Sequence, residues 1–200
     1  MKPKLKIAVL SPNPSAQTET FIRAQINALE GEVTVICDGY LPKIVENSGP
    51  IAPTHFFEKT KNRISSLLFP TKMNGFELAL ADFLKKSEFD LVLVEYGITA
   101  WNSLRALVET RVPFAVHFHG MDAFHEGTLK KYNNYDAVFA AANLVFAVSQ
   151  PMFDQLVKIG CPADKLVLNP YGPNPRFFEV NPCFCSPTFL FIGRFVPKKA

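Results

Sequence analysis

The stretch His117-Phe118-His119-Gly120-Met121-Asp122 places two imidazoles, a glycine and a carboxylate within a few residues of one another. Imidazole can donate to developing negative charge, glycine lets a backbone come close to a ligand, and a nearby carboxylate can orient a ring. In an extended strand His117 and His119 point to the same side, so one is expected to pack and His119 to reach a cleft. A packed structural role for both is the competing reading. Glu95-Tyr96-Gly97 closes a second apolar run, and Ser11-Pro12-Asn13-Pro14-Ser15-Ala16-Gln17 follows a third. Thr18 and Glu19 open the next helix, whose free amides and dipole would favour an anion near Ser15. Capping by Thr18 and dipole complementation by Glu19 is the alternative. A dinucleotide glycine loop, a Walker loop and a nucleophile elbow are all absent. Metal binding by His117, His119 and His125 lacks a recognised zinc spacing, so no metal or other cofactor is expected.

These residues need a scaffold that brings distant run ends together. Short apolar runs alternate with stretches of helical spacing, as in a parallel sheet with crossover helices, so the class is α/β and Rossmann-like with helices on both faces. The expected strands are Lys6 to Leu10, Val33 to Ile36, Leu91 to Glu95, Phe114 to His119, Leu144 to Val148 and Leu166 to Leu168. Continuous apolar character predicts strands covered on both faces. Helices are predicted over Thr18 to Leu29, Asn62 to Leu68, Gly75 to Lys85, Thr99 to Glu109, Thr128 to Ala140 and Met152 to Ile159. The first places Phe21, Ile22, Ile26 and Leu29 on one face. Asp38 to Pro53 reads as a long loop, of the kind that is often functional or mobile. In open α/β sheets ligands bind beyond the carboxyl ends of strands, which is where Tyr96, Gly97, His119 and Gly120 fall.

Of the 200 residues 48% are hydrophobic and the net charge is +3, enough for a folded core and too little basic character for a nucleic-acid groove. No apolar run approaches the ~18 residues of a membrane span, and the first apolar run is too short for a secretory signal. Cys37, Cys161, Cys183 and Cys185 lack paired spacings and read as free thiols of a cytoplasmic protein. The stretch Lys59 to Lys72 mixes cations with apolar residues, as an interfacial helix does; a partly solvated core helix is the competing reading. From Asn169 prolines crowd the chain, and Asn169-Pro170-Tyr171-Gly172-Pro173-Asn174-Pro175 cannot continue a helix or a central strand. A new apolar strand, Phe189 to Ile192, is expected after it. The division is residues 1–170 as one domain, 171–187 as linker and 188–200 as the start of a second, truncated domain.

The ordered series Thr18-Glu19-Thr20-Phe21-Ile22, His119-Gly120-Met121-Asp122, Val148-Ser149-Gln150, Lys165-Leu166-Val167, Tyr171-Gly172, Phe177 and Phe191-Ile192-Gly193-Arg194 with Lys198-Lys199 resembles the retaining GT-B glycosyltransferases of family four. The resemblance covers almost the whole chain. It implies two Rossmann-like domains across a cleft, of which this chain supplies the acceptor side. It implies that His119 lies near the transferred sugar with Asp122 beside it, and that Arg194 and Lys199 meet the donor diphosphate. Ser15, Thr18, Glu19, Tyr96, Gly97 and Gly120 would contact acceptor or line its loops. The chain departs from the family where Pro12-Asn13-Pro14-Ser15 replaces a glycine pair, and where Tyr171-Gly172-Pro173-Asn174 replaces Asn-Gly-Val-Asp. The family's late glutamate pair is expected beyond Ala200.

The expected function is therefore transfer of a sugar, with retention, from a nucleotide-sugar donor to a polysaccharide, glycolipid or small-molecule acceptor. The 200-residue chain is expected to be inactive alone, cytoplasmic, and in contact with the inner membrane face where its acceptor is lipid-linked. The alternative is a non-catalytic sugar- or partner-binding module on the same fold. A nicotinamide-dependent oxidoreductase is disfavoured by the glycine-free first loop.

Overall fold

The computed structural model describes residues 4–13, 20–51, 73–173, 175–181, 187 and 189–191. Ser15, Thr18, Glu19, the Lys59 to Lys72 stretch, Cys183, Cys185, Arg194 and Lys199 lie outside the described residues.

The chain opens with β1 (Lys6–Leu10), α1 (Thr20–Ala28) and β2 (Glu32–Cys37), then two short strands, β3 (Ile44–Val45) and β4 (Gly49–Pro50). There follow α2 (Gly75–Lys86), β5 (Leu91–Glu95), α3 (Gly97–Thr110) and β6 (Phe114–His117). The last third carries α4 (Gly120–Phe124), α5 (Glu126–Lys131), α6 (Asp136–Ala141), β7 (Leu144–Ala147), α7 (Gln150–Lys158) and β8 (Leu166–Leu168). Among the described residues the sheet runs β4-β3-β2-β1-β5-β6-β7-β8. It is parallel from β2 through β8, and only the β2-β3-β4 end is antiparallel. The predicted α/β, Rossmann-like architecture is thus the observed one.

Strand alternation explains why these runs read as continuously apolar. On β1, Ala8 and Leu10 join a large cluster with α2, α3, α6 and α7, while Ile7 and Val9 face the opposite cluster with Ile22 and Ile26 of α1. Each face needs apolar residues because each is covered. Local signals set several boundaries. The Asn74 side chain accepts from the Phe76 and Glu77 amides, and Glu77 accepts from the Asn74 amide, so a reciprocal capping box starts α2. Ser149 caps α7, with Pro151 in its first turn.

Three expectations are revised. The predicted helix over Thr128 to Ala140 is broken, because Asn133, Asn134 and Tyr135 all take positive φ. That break turns the Tyr135 ring into the core against Phe118, at 5.2 Å between centroids. The loop from Asp38 holds the β3-β4 hairpin, tied to α1 by an Arg23–Glu46 ion pair. Phe189 to Phe191 form no strand and are exposed, since no described strand offers them a ladder of hydrogen bonds. Among the described residues no helix is long and apolar enough to cross a membrane.

Candidate active site

The strand order reverses direction at β1: the chain moves outward to β2 on one side and to β5, β6 and β7 on the other. Such a switch point opens a crevice at the carboxyl edge of the sheet. Glu95 ends β5, His117 ends β6, and His119 lies two residues beyond. Ser11, just past β1, donates its amide to the Ile36 carbonyl and is fully buried.

The expected strand to His119 stops at His117, for a local reason. Asp122 Oδ1 accepts the His119 amide at 2.8 Å, which withdraws that donor from the sheet and starts α4. The same carboxylate accepts the Gly97 amide through Oδ2, also at 2.8 Å. Asp122 is fully buried. Burial pushes its carboxyl up to about 7, against the pull of the amides from Gly97, His119 and its own helix turn. Its oxygens are therefore occupied by backbone, and it fixes the two loops that carry Tyr96-Gly97 and His119-Gly120.

The two histidines share a side, as the strand period predicts, with ring centroids 5.0 Å apart. His117 is wholly buried, and its Nδ1 lies 2.9 Å from Gln25 Oε1 on α1. Burial drives its pKa down to about 4, so it is neutral near pH 7. His119 is buried and held at both ring nitrogens. Nε2 lies 2.9 Å from Glu95 Oε2, and Nδ1 lies 2.9 Å from the Tyr171 hydroxyl. Phe21, Tyr96 and Tyr171 surround it, Tyr96 closest with ring centroids 4.3 Å apart.

Glu95 was legible only as the first residue of a strand-end tripeptide, yet it is the acid at the centre of this cluster. It is fully buried, and burial raises its carboxyl to about 7, with His117 pulling weakly the other way. Its Oε2 is also 3.8 Å from His117 Nδ1. Tyr171, the first residue of the expected linker, lies over the crevice against His119. An acid that directly follows a β-strand's apolar run at full burial is the signal that would have found Glu95.

The two site glycines differ. A Cβ on Gly97 would meet Phe118 ring atoms at 2.3 and 2.6 Å, so glycine there serves packing. Among the described residues, a Cβ on Gly120 would meet nothing within 4 Å. Tyr96 between β5 and Gly97 has φ 73° and ψ 135°, a conformation that a side chain rarely adopts. Glu95, His117 and His119 are of metal-ligand type, with ligand atoms within 4.8 Å of one another. Glu95 and His119 are themselves in direct contact at 2.9 Å, a hydrogen-bond length.

A family profile described as Glycosyltransferase Family 4 matches residues 18–176. Over 107 residues the chain is 29% identical to WcaL of Escherichia coli strain K12, named as a colanic acid biosynthesis glycosyltransferase; the match covers 52% of this chain and 26% of that protein. The fold is similar to that of Anabaena Alr3699/HepE in complex with UDP-glucose, at 14% identity and a TM-score of 0.53, over 85% of this chain and 44% of that one. It is also similar to UDP-N-acetylglucosamine 2-epimerase from Rickettsia bellii, at 11% identity and a TM-score of 0.52, over 84% and 45%. At such identities the likeness is one of fold. The chain spans about a quarter of WcaL and under half of each solved structure. With well over half of its residues inside the matched region, a largely parallel sheet as expected and the His119-Gly120-x-Asp122 group at its carboxyl edge, the chain belongs to Glycosyltransferase Family 4.

Proposed function

We propose that this chain is the acceptor-side unit of a retaining transferase that moves a sugar from a nucleotide-sugar to a polysaccharide, glycolipid or small-molecule acceptor. The observation that carries the reading is His119, held at the switch-point crevice by Glu95 and Tyr171 while Asp122 fixes the backbone beneath it. A clamped imidazole is suited to positioning a sugar hydroxyl, because its direction is fixed before the ligand arrives. Gly120, with open space above it, lets the sugar approach the backbone.

The name of WcaL supports an acceptor among growing saccharides, and the UDP-glucose in the Anabaena structure supports a nucleotide-linked donor. In this reading Arg194 and Lys199 meet the donor diphosphate, Ser15, Thr18 and Glu19 line the acceptor loop, and no metal takes part. The basic, apolar Lys59 to Lys72 stretch supplies contact with the inner membrane face when the acceptor is lipid-linked. Most of the donor site belongs to a second unit, so the chain alone transfers nothing.

Two measurements test this together. Calorimetry of the chain with UDP-glucose and GDP-mannose should show no tight binding, and submicromolar affinity would move the donor site into this unit. Assembled with a donor-binding unit, it should transfer labelled sugar from a nucleotide to a lipid-linked saccharide. Failure across a panel of nucleotide-sugars would favour the non-catalytic binding module.

A further inference from the structure

Glu95 has one oxygen, Oε2, facing two imidazoles, and another, Oε1, that is buried with no hydrogen-bond partner among the described residues. The roles of the ring nitrogens around it follow from their other contacts. Gln25 Oε1 can only accept, so the 2.9 Å contact makes His117 Nδ1 a donor. That same N–H stands 3.8 Å from Glu95 Oε2. On the other side, the Tyr171 hydroxyl is 2.9 Å from His119 Nδ1, and burial beside Glu95 raises the phenol's pKa, so the phenol keeps its proton. A phenol that keeps its proton can donate it to a lone pair on Nδ1, and the imidazole proton then sits on Nε2, 2.9 Å from Glu95 Oε2, which is an acceptor when ionised.

We propose that Glu95 is a positioning residue that holds His119 as the Nε2–H tautomer, so that Nδ1 offers a lone pair to the crevice and the Tyr171 hydroxyl occupies the place of a substrate hydroxyl. His119 Nδ1 then accepts a hydrogen bond from a sugar hydroxyl rather than donating one to a phosphate oxygen. Among the described residues, the groups that face Glu95 and His119 include His117 from β6, Gln25 and Phe21 from α1, Tyr96 from the end of β5, and Tyr171 from beyond β8; Asp122 of α4 holds the His119 amide. None of these side chains is a cation near pH 7. Tyr171 is the partner best placed to be displaced, because it is partly exposed while Glu95 is fully buried.

The identity of the hydroxyl as a sugar's rests on the proposed function, whereas the tautomer does not. Long-range nitrogen–proton correlation spectra of the ¹⁵N-histidine-labelled chain at pH 8 read the tautomer directly, with His119 assigned through His119→Gln. The expected result is a protonated-type shift for Nε2 and an unprotonated-type shift for Nδ1. Glu95→Leu, which removes both acceptor oxygens, should abolish that single tautomer, and Tyr171→Phe should keep it while Nδ1 moves toward the shift of a free lone pair. The wild-type and Tyr171→Phe spectra decide the matter even where Glu95→Leu fails to fold. A protonated Nδ1 in wild type, an unchanged tautomer in folded Glu95→Leu, or zinc chloride shifting His117 and His119 together would each overturn the proposal. None of these readings depends on transfer activity.

Discussion

The Asp122 carboxylate accepts the Gly97 amide at 2.8 Å, and so joins the loop after β5 to the loop after β6, twenty-five residues apart. Its second oxygen holds the His119 amide at the same distance. Asp122→Ala leaves two buried amides unpaired, at about 1–3 kcal/mol each. Urea unfolding should show a loss of that order for Asp122→Ala and a smaller one for Asp122→Asn, which keeps one acceptor oxygen. Wild-type stability in both would remove Asp122 from this joining role.

The two site glycines should respond in opposite ways. Gly97→Ala drives a Cβ into the Phe118 ring, itself enclosed by Tyr135 and Phe139, and should cost about 1–3 kcal/mol by overpacking. Gly120→Ala has open space and should leave the melting temperature unchanged while lowering sugar transfer. A Gly120→Ala protein with full activity would mean that no ligand approaches that backbone.

His117 and His119 differ in what they support. His117→Ala removes a buried ring that pairs with Gln25 and should destabilise by about 2–4 kcal/mol. In an assembled transferase, His119→Ala should instead lower kcat on the order of a hundredfold with a smaller change in KM. Steady-state kinetics of a well-folded His119→Ala protein that match wild type would assign His119 to packing.

Glu95 predicts a pH signature in stability. Its folded value of about 7 lies above the ordinary 4.5, so the folded state binds more protons than the unfolded one between those limits. That contribution is complete below about 4.5 and is lost as pH rises through about 7. Glu95→Gln cannot titrate, so its stability relative to wild type should climb across this window, by at most about 1.4 kcal/mol per pH unit, and then level off. His117 has the opposite sign, since its value near 4 lies below the ordinary 6.5, but it is present in both proteins and largely cancels. A flat difference between the two proteins would show that Glu95 titrates as an ordinary surface acid.

The runs that became strands were legible because their apolar character is dictated by cover on both faces: Lys6 to Leu10 and Leu91 to Glu95 end where the sequence pattern ends them. Ends governed by distant partners were not. β6 stops short because Asp122, five residues beyond its last residue, takes the His119 amide, and α3 begins at Gly97 because the same side chain takes that amide too. The site was half visible. His119 and Gly120 follow from their types and place, whereas Glu95 and Tyr171 reach His119 from 24 and 52 residues away, separations that no local spacing encodes.

Residue 96 is a place where main chain and side chain favour different amino acids. A φ of 73° suits glycine, and strain there costs about 1–3 kcal/mol for any residue with a Cβ. The ring, however, is buried and packs on His119. Glycine would relieve the backbone and give up the packing, and an aromatic residue keeps the packing and bears the strain. Alanine would keep the strain and lose the ring. The mutational landscape at this position therefore has two separated peaks with a valley between them, so that random drift through small side chains is closed and only a direct exchange between glycine and an aromatic residue remains open.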